Sequence, residues 1–401
     1  MRLLTLPALG ACLAASPALA QSAAPSATPR DHYDVAAFVW PSYHPDQRAK
    51  VFWPQGIGEW QTVMTNEPKF PGHDQPRRPL WGYVNEADRY VMEMQIAAAA
   101  DHGVNVFIYD WYWYDGLPYL EGCLNDGYLR ARNNDRVNFY LMWANHDVNL
   151  AWDKRNADDA FTGRNDATIW RGSLDRAEFE KIARRWIEKY FRQPSYYKID
   201  GKPVLMIYDL PNFVKGLGSV AAAKDAVAWL RERTVAAGFA GLELQVALRP
   251  ESRRPLVDIP GQSVGTQTQV IKELGVDSLS HYQFAHFADM NRNYEDIMRD
   301  GVAEWERADT GHGAKYYPHV SIGWDASPRA KQFVGGVVKN NPPEQFEKAL
   351  LKAKAFVDAH PDRAPLITVN SWNEWTETSY LQPDDKYGYG YLEAVKRVFG
   401  K

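Results

Sequence analysis

From Tyr33 to the C-terminus, short apolar runs alternate with amphipathic stretches. The runs are Val35–Trp40, Val104–Asp110, Asn138–Asn145, Pro203–Asp209, Leu242–Leu248, Ser278–Phe284, Tyr317–Asp325 and Leu366–Asn370. Each is rich in β-branched and aromatic residues and bounded by turn residues, which predicts strands buried on both faces. The stretches between them carry helical spacing. Glu86–His102 sets Tyr90, Val91, Met94, Ala97 and Ala98 on one face, with Gly103 as its stop. Leu174–Phe191 aligns Phe179, Ile182, Trp186 and Tyr190. Val220–Ala237, Ser263–Leu274, Tyr294–Arg307, a helix opened by Pro343, and Tyr391–Phe399 follow. Eight strands, each followed by a helix, predict one (β/α)8 TIM barrel over residues 32–401, with long βα loops forming its active-site face. A doubly wound open sheet is the rival, but no Gly-rich strand-to-helix turn supports it.

In such a barrel, chemistry sits at the C-terminal ends of the strands. The last run opens into Ser371-Trp372-Asn373-Glu374-Trp375-Thr376-Glu377, two carboxylates three residues apart among tryptophans. Paired carboxyls beside flat apolar faces suit cleavage of a glycosidic bond; the plainer alternative is a core strand running into a polar loop. The other strand ends and the first long loop supply the candidate substrate contacts. These are His44, Glu59, Trp60, Asp110, Tyr112, Trp113, Asn145, Tyr208, His281, Tyr282, Trp324 and Asn373. Helix capping competes for some polar strand ends, with Asp209 as much a cap as a ligand contact.

Composition narrows the classes. The chain holds 15 Trp and 22 Tyr at a formal charge of −4. There is no Lys/Arg-rich run, so nucleic acid and anionic membrane surfaces are poor candidates as partners and an oligo- or polysaccharide is expected. Arg2, the apolar Leu3–Ala15 and Ala18-Leu19-Ala20 form a secretory signal over residues 1–20, with cleavage after Ala20. This predicts a secreted or periplasmic protein; Leu9-Gly10-Ala11-Cys12 as a lipoprotein box is the alternative. Residues 21–31, rich in Ala, Ser and Pro, form a disordered lead-in. No later segment is apolar for long enough to span a bilayer. Removal of Cys12 leaves Cys123 alone, without a disulfide partner or a Cys-based zinc site. His44, His146 and His281 with Asp110 or Asp325 could ligate a metal, but no H-x-H or H-E-x-x-H spacing supports it. Neither a metal nor a cofactor is expected, and no Gly-x-Ser-x-Gly elbow points to acyl transfer.

Several segments carry a resemblance. Tyr43-His44-Pro45, Gly58-Glu59-Trp60, Phe70-Pro71-Gly72-His73-Asp74-Gln75-Pro76, Leu80-Trp81-Gly82-Tyr83, Tyr112-Trp113 and Trp372–Glu377 with Pro383-Asp384 occur in order. Together they resemble the glycoside hydrolase family 99-like, WbsX-type proteins, relatives of the endo-α-1,2-mannosidases. The resemblance implies a barrel fold and places both catalytic carboxyls in the Trp-Asn-Glu-Trp-x-Glu element, Glu374 as base and Glu377 as general acid. It implies retention of configuration through attack of the sugar's own 2-hydroxyl, with a conventional two-carboxylate mechanism still open. The chain departs from the pattern at Thr376, where His is common, at Thr378, where Gly is usual, and at Gln382, where Glu is frequent. Two other functions fit a WbsX-type chain: a glycosyltransferase of polysaccharide biosynthesis, and a non-catalytic carbohydrate-binding barrel.

Overall fold

The computed structural model describes residues 30–149, 152, 168–250, 253–333 and 335–400. The leader with Cys12 and Ala20, and all but the last two residues of the lead-in, lie outside the described residues. Eight parallel barrel strands follow the predicted order: β1 Asp34–Val39, β2 Val106–Tyr114, β3 Asn138–Trp143, β4 Lys202–Ile207, β5 Glu243–Ala247, β6 Ser278–Ser280, β7 in two pieces, and β8 Leu366–Asn370. β1 lies between β8 and β2, and pairing runs on in sequence through β3, β4 and β5 to β6. The two pieces of β7 close the ring. Lys315–Tyr316 pairs with β6 and His319–Ser321 with β8. Pro318 stands at the break, where its missing N–H removes a ladder donor.

The strands read as apolar runs because the ring and the helices around it bury both faces; β2, β5 and β8 are buried at every position. Three expectations change. No regular helix follows β2, which runs on to Tyr114 and folds back through Leu117–Tyr119. Asp115 and Gly116, both at positive φ (52° and 73°), make that hairpin turn. A π turn at Cys123–Gly127 and short 3-10 turns then lead to β3.

The helix expected between the first two strands, Arg89–Asp101, starts where Asp88 accepts from the Tyr90 and Val91 amides. It buries Met92, Gln95, Ile96 and Ala99, whereas Tyr90 and Met94 are exposed. The face was misread because a polar residue, Gln95, points into the core. The third change concerns Trp186–Phe191, which closes its helix as a π turn instead of continuing it. No helix among the described residues is long and apolar enough to cross a membrane.

Candidate active site

Beyond β8 the chain makes a small antiparallel ribbon, Asn373–Glu374 against Ser379–Tyr380, with Trp375–Glu377 as the turn between its arms. Side chains fix this ribbon to the barrel mouth. Ser371 Oγ accepts from the Glu374 amide (2.7 Å) and donates to the Ser379 carbonyl (2.6 Å). Asn373 accepts from the Trp40 amide (2.8 Å) and donates to the Trp40 carbonyl (2.9 Å), so it clamps the end of β1. It also donates to Glu86 (2.8 Å), a fully buried carboxylate that takes further donors from Gln95 and Gln382. Burial raises Glu86 to about 7, against the amide donors, all of which favour its charge. Trp375 Nε1 donates to Gln382 Oε1 (2.7 Å), which ties both arms to the same network.

One arginine joins the carboxyls. Arg329 closes a 3-10 turn, Ser327–Arg329, in the loop after β7. Asp325 holds that loop: it accepts from the Ser327 amide (3.0 Å), Gln75 (2.7 Å) and His73 (2.8 Å). Burial alone would raise the Asp325 carboxyl, but the hydrogen bonds from His73, Ser327 and Gln75 hold it below the ordinary range. The Arg329 fork then spreads over three acids: Nε to Glu59 (3.1 Å), Nη2 to Glu374 (3.0 Å) and Nη1 to Glu377 (2.6 Å). Glu59 is fully occupied, since Trp40 Nε1, Ser42 Oγ (3.0 Å) and Thr376 Oγ1 (3.1 Å) also donate to it. It is the counter-ion beneath the guanidinium.

Three carboxyls thus share one cation, Asp110 lines the same cavity, and their environments differ. Glu374 accepts from Tyr282 Oη (2.6 Å) as well as Arg329, and burial raises its pKa against both. Glu377 is raised further, to about 8, by burial and by the neighbouring charge of Glu374. Asp110 is pushed well above the carboxylate range by burial and again by Glu374. Its Oδ2 lies 3.0 Å from Tyr282 Oη, and its buried Oδ1 has no hydrogen-bond partner. The Tyr282 and Arg329 donors favour the charged form of Glu374, whereas burial and the Glu374 charge favour the protonated forms of Glu377 and Asp110.

A cavity of about 210 Å³ opens onto these groups, walled by Trp40, Tyr112, Trp152, Tyr208 and Tyr282 and floored by Asp110, Glu374, Glu377 and Arg329. A second cavity of about 520 Å³, lined by Met290 and Trp324, shares Tyr208, Tyr282 and Glu377 with the first. Glu377 therefore stands at the boundary of the two, with a tenth of its side chain exposed against 3% for Glu374.

Of the residues singled out in the sequence, Asp110, Tyr112, Tyr208, Tyr282, Glu374 and Glu377 meet in the first cavity and Trp324 lines the second. The others point elsewhere. Strand alternation turns Trp113 away from Tyr112, and its Nε1 donates to Glu178 (2.9 Å). His281 likewise turns away from Tyr282, toward Tyr316 (2.7 Å) and Glu304. Trp60 packs against Tyr43 with the rings tilted and donates to the Val84 carbonyl, and His44 is buried against Gly122. Asn145 brackets the Asp209 backbone (2.7 and 2.8 Å), and Asp209 caps the helix Leu210–Leu217. Glu59 and Asn373 position the ribbon and the arginine and do not line the cavity. Among the described residues, no group of three or more His, Cys, Asp or Glu is arranged to hold a metal ion.

Sequence reasoning missed Trp40, Trp152, Arg249 and above all Arg329. Trp40 ends a predicted strand and could have been found there. Arg329 lies in a loop without periodicity, and only its place after the seventh strand hinted at the site.

The family described as Glycosyltransferase WbsX matches residues 35–395. An uncharacterized protein, WxcX, of Xanthomonas campestris pv. campestris (strain ATCC 33913) is 26% identical over 380 residues. The match covers 91% of this chain and 49% of WxcX, so the chain spans about half the length of that relative. Among solved structures, a glycoside hydrolase-like protein superposes with a TM-score of 0.58 at 16% identity, over 95% of this chain and 98% of its own. The GH99 endo-alpha-mannosidase from Bacteroides thetaiotaomicron gives 0.53 at 14% identity, over 93% and 97%. At these identities the likeness is one of fold, and it agrees with the TIM barrel.

Proposed function

The chain belongs to the WbsX family, and we propose that it is a retaining glycoside hydrolase acting on an α-linked glycan, mannan-like or another bacterial or plant polysaccharide, outside the cytoplasm. Glu374 is the base and Glu377 the general acid/base. The observation that supports this reading is geometric: Glu374 and Glu377 are joined by the Arg329 guanidinium on the wall of an aromatic-lined cavity, and Glu374 alone also accepts from the Tyr282 hydroxyl. A glycosidase needs one acid that keeps its proton at working pH and one that gives its proton up.

In the first step Glu374 takes the proton of the sugar's 2-hydroxyl while O2 attacks C1. The C1–O bond to the leaving group breaks as Glu377 delivers its proton to that oxygen. In the second step water attacks C1 and passes a proton to Glu377. The C1–O2 bond breaks, and Glu374 returns its proton to O2. Both carboxyls regain their starting states and C1 has been inverted twice. The aromatic walls offer faces for pyranose rings. Arg329 fixes the relative position of the two carboxyls, and its charge moderates the rise that burial imposes on each.

The family's description favours a second reading, transfer from a nucleotide sugar. The secretory signal expected at residues 1–20 weighs against it, because nucleotide sugars are not expected outside the cytoplasm. The test is a screen of the purified protein against α-mannans and bacterial and plant polysaccharides, with Glu374→Gln and Glu377→Gln as controls. Each variant is expected to remain folded and to lose cleavage; cleavage at the wild-type rate by both would remove the assignment. A 2-deoxy-2-fluoro glycoside has no 2-hydroxyl, so intact mass is expected to show no covalent adduct. An adduct on Glu374 would replace the neighbouring-group step with a conventional glycosyl-enzyme.

A further inference from the structure

The first cavity carries charge of both signs. Asp110, Glu374 and Glu377 line it, with the Arg329 fork already divided among Glu59, Glu374 and Glu377. Arg249, just past the end of β5, lines the same cavity. Its backbone is held from both sides by Gln267, whose Oε1 accepts from the Arg249 amide (3.3 Å) and whose Nε2 donates to its carbonyl (3.0 Å). Its guanidinium carbon lies 4.3 Å from the centroid of the Tyr208 ring, a stacked cation. Among the described residues it makes no ion pair.

The imidazoles beside Arg249 bring no charge of their own. His146 lines the same cavity and His286 the adjoining one; burial, with the Arg249 charge, lowers both imidazoles and keeps them neutral. His286 Nε2 lies 3.4 Å from the Tyr208 hydroxyl, and its buried Nδ1 has no partner. The carboxylates near this pair are each engaged elsewhere: Asp209 and Asp147, which act on His146, accept the Asn212 amide (2.8 Å) and the Gly172 amide (2.9 Å), and Glu377, which with Asp209 acts on Tyr208, is bonded to Arg329. Arg249 is half-buried in the cavity wall and has no carboxylate bonded to it among the described residues, so its guanidinium is open to an anion on the ligand.

We propose that Arg249, seated on Tyr208, recognises an anionic group on the substrate, and that the substrate is an acidic glycan carrying a carboxylate, as in a uronic acid residue. The proposal rests on the hydrolase reading only in taking a glycan as the ligand. The same chemistry would hold the diphosphate of a nucleotide sugar. One arginine flanked by neutral donors matches a single carboxylate better than two phosphates, which call for a larger cradle of donors.

The test measures binding, so it stands apart from turnover. Affinity electrophoresis of the full chain and of Arg249→Gln is run in gels holding acidic polysaccharides, the same polysaccharides after chemical reduction of their carboxyls, and neutral α-mannan. Calorimetry with UDP- and GDP-sugars is run alongside. Retardation by an acidic polysaccharide is expected, lost on carboxyl reduction and weakened about tenfold or more in Arg249→Gln, the scale of one charged hydrogen bond. The carboxyl-reduction arm uses wild-type protein, so it decides even if the variant folds poorly. Equal retardation by native and reduced polysaccharide, no retardation by any acidic one, or an effect of Arg249→Gln confined to nucleotide sugars overturns the proposal. Acid-selective binding without cleavage would leave it standing while removing the hydrolase reading.

Discussion

Tyr282 has one hydroxyl proton, and its oxygen lies 2.6 Å from Glu374 Oε2 but 3.0 Å from Asp110 Oδ2. The closer carboxylate takes that proton, so the contact to Asp110 is attractive only if Asp110 brings a proton of its own. The raised Asp110 carboxyl supplies it. A chain of donors then runs from Asp110 through Tyr282 to Glu374 and favours Glu374 in its charged form. Asp110→Asn keeps a donor at this position and is expected to retain kcat/KM within about tenfold. Asp110→Ala and Tyr282→Phe break the chain and are expected to lose about 10²-fold, the scale of a removed electrostatic donor. An Asp110→Asn variant as inactive as Glu374→Gln would mean that Asp110 acts as a carboxylate.

Arg329 is the single cation bonded to Glu59, Glu374 and Glu377. Replacing it by Met leaves buried carboxylates facing one another, and a loss of about 3–5 kcal/mol is expected. Lys carries the charge without the planar fork and cannot serve three acids in one plane. Arg329→Lys is therefore expected to fold but to lose most activity. Urea unfolding and steady-state rates on the same preparations check both statements; a fully active Arg329→Lys would show that the fork geometry is dispensable.

The pH dependence has a definite sign. Glu377 and Glu86 are raised from 4.5 to about 8 and about 7. Between pH 4.5 and those values the folded protein holds protons that the unfolded chain has lost, so stability falls as pH rises across that window. The melting temperature is expected to decline from about pH 5 to 8, and less steeply in Glu377→Gln, which has no proton to lose there. In the wild type, kcat is expected to fall above about pH 8 as Glu377 loses the proton it must donate. A melting temperature that rises through this window would contradict the assignment of raised carboxyls.

Gln382 gives an independent check on the ribbon's support. Its Nε2 donates to Glu86 Oε1 (2.9 Å) while its Oε1 accepts from Trp375. Gln382→Glu keeps the acceptor for Trp375 but sets two buried carboxyls against each other. A loss of about 2–4 kcal/mol is expected at pH 8, and a smaller one at pH 5, where one of the pair takes a proton. Equal losses at the two pH values would argue that Glu86 is not the partner that matters.

The barrel was legible because buried parallel strands are apolar over their whole length, and the Trp-Asn-Glu-Trp-Thr-Glu element because it ends one of them. Side-chain direction was harder to read. Asp110 and Tyr112 face the cavity while Trp113 does not, and only the extension of β2 to Tyr114 fixes that alternation. Glu59, expected from the first long loop as a substrate contact, is instead buried beneath Arg329. The three departures from the family pattern also make sense only in space. Thr376 donates to Glu59, and Gln382 carries the amide that Glu86 needs. Thr378 occupies the left-handed region (φ 53°), where Gly is usual, and bonds Gln75 (2.8 Å) and the Asp325 carbonyl (3.3 Å) in compensation.

The most direct test of retaining hydrolysis by the Glu374–Glu377 pair is proton NMR of the first sugar anomer released from a responsive α-glycan, with no nucleotide sugar present. The expected result is a reducing end of the same anomeric configuration as the bond cleaved, and no release by Glu374→Gln or Glu377→Gln. An inverted first product, or turnover only when a UDP- or GDP-sugar is supplied, would contradict it.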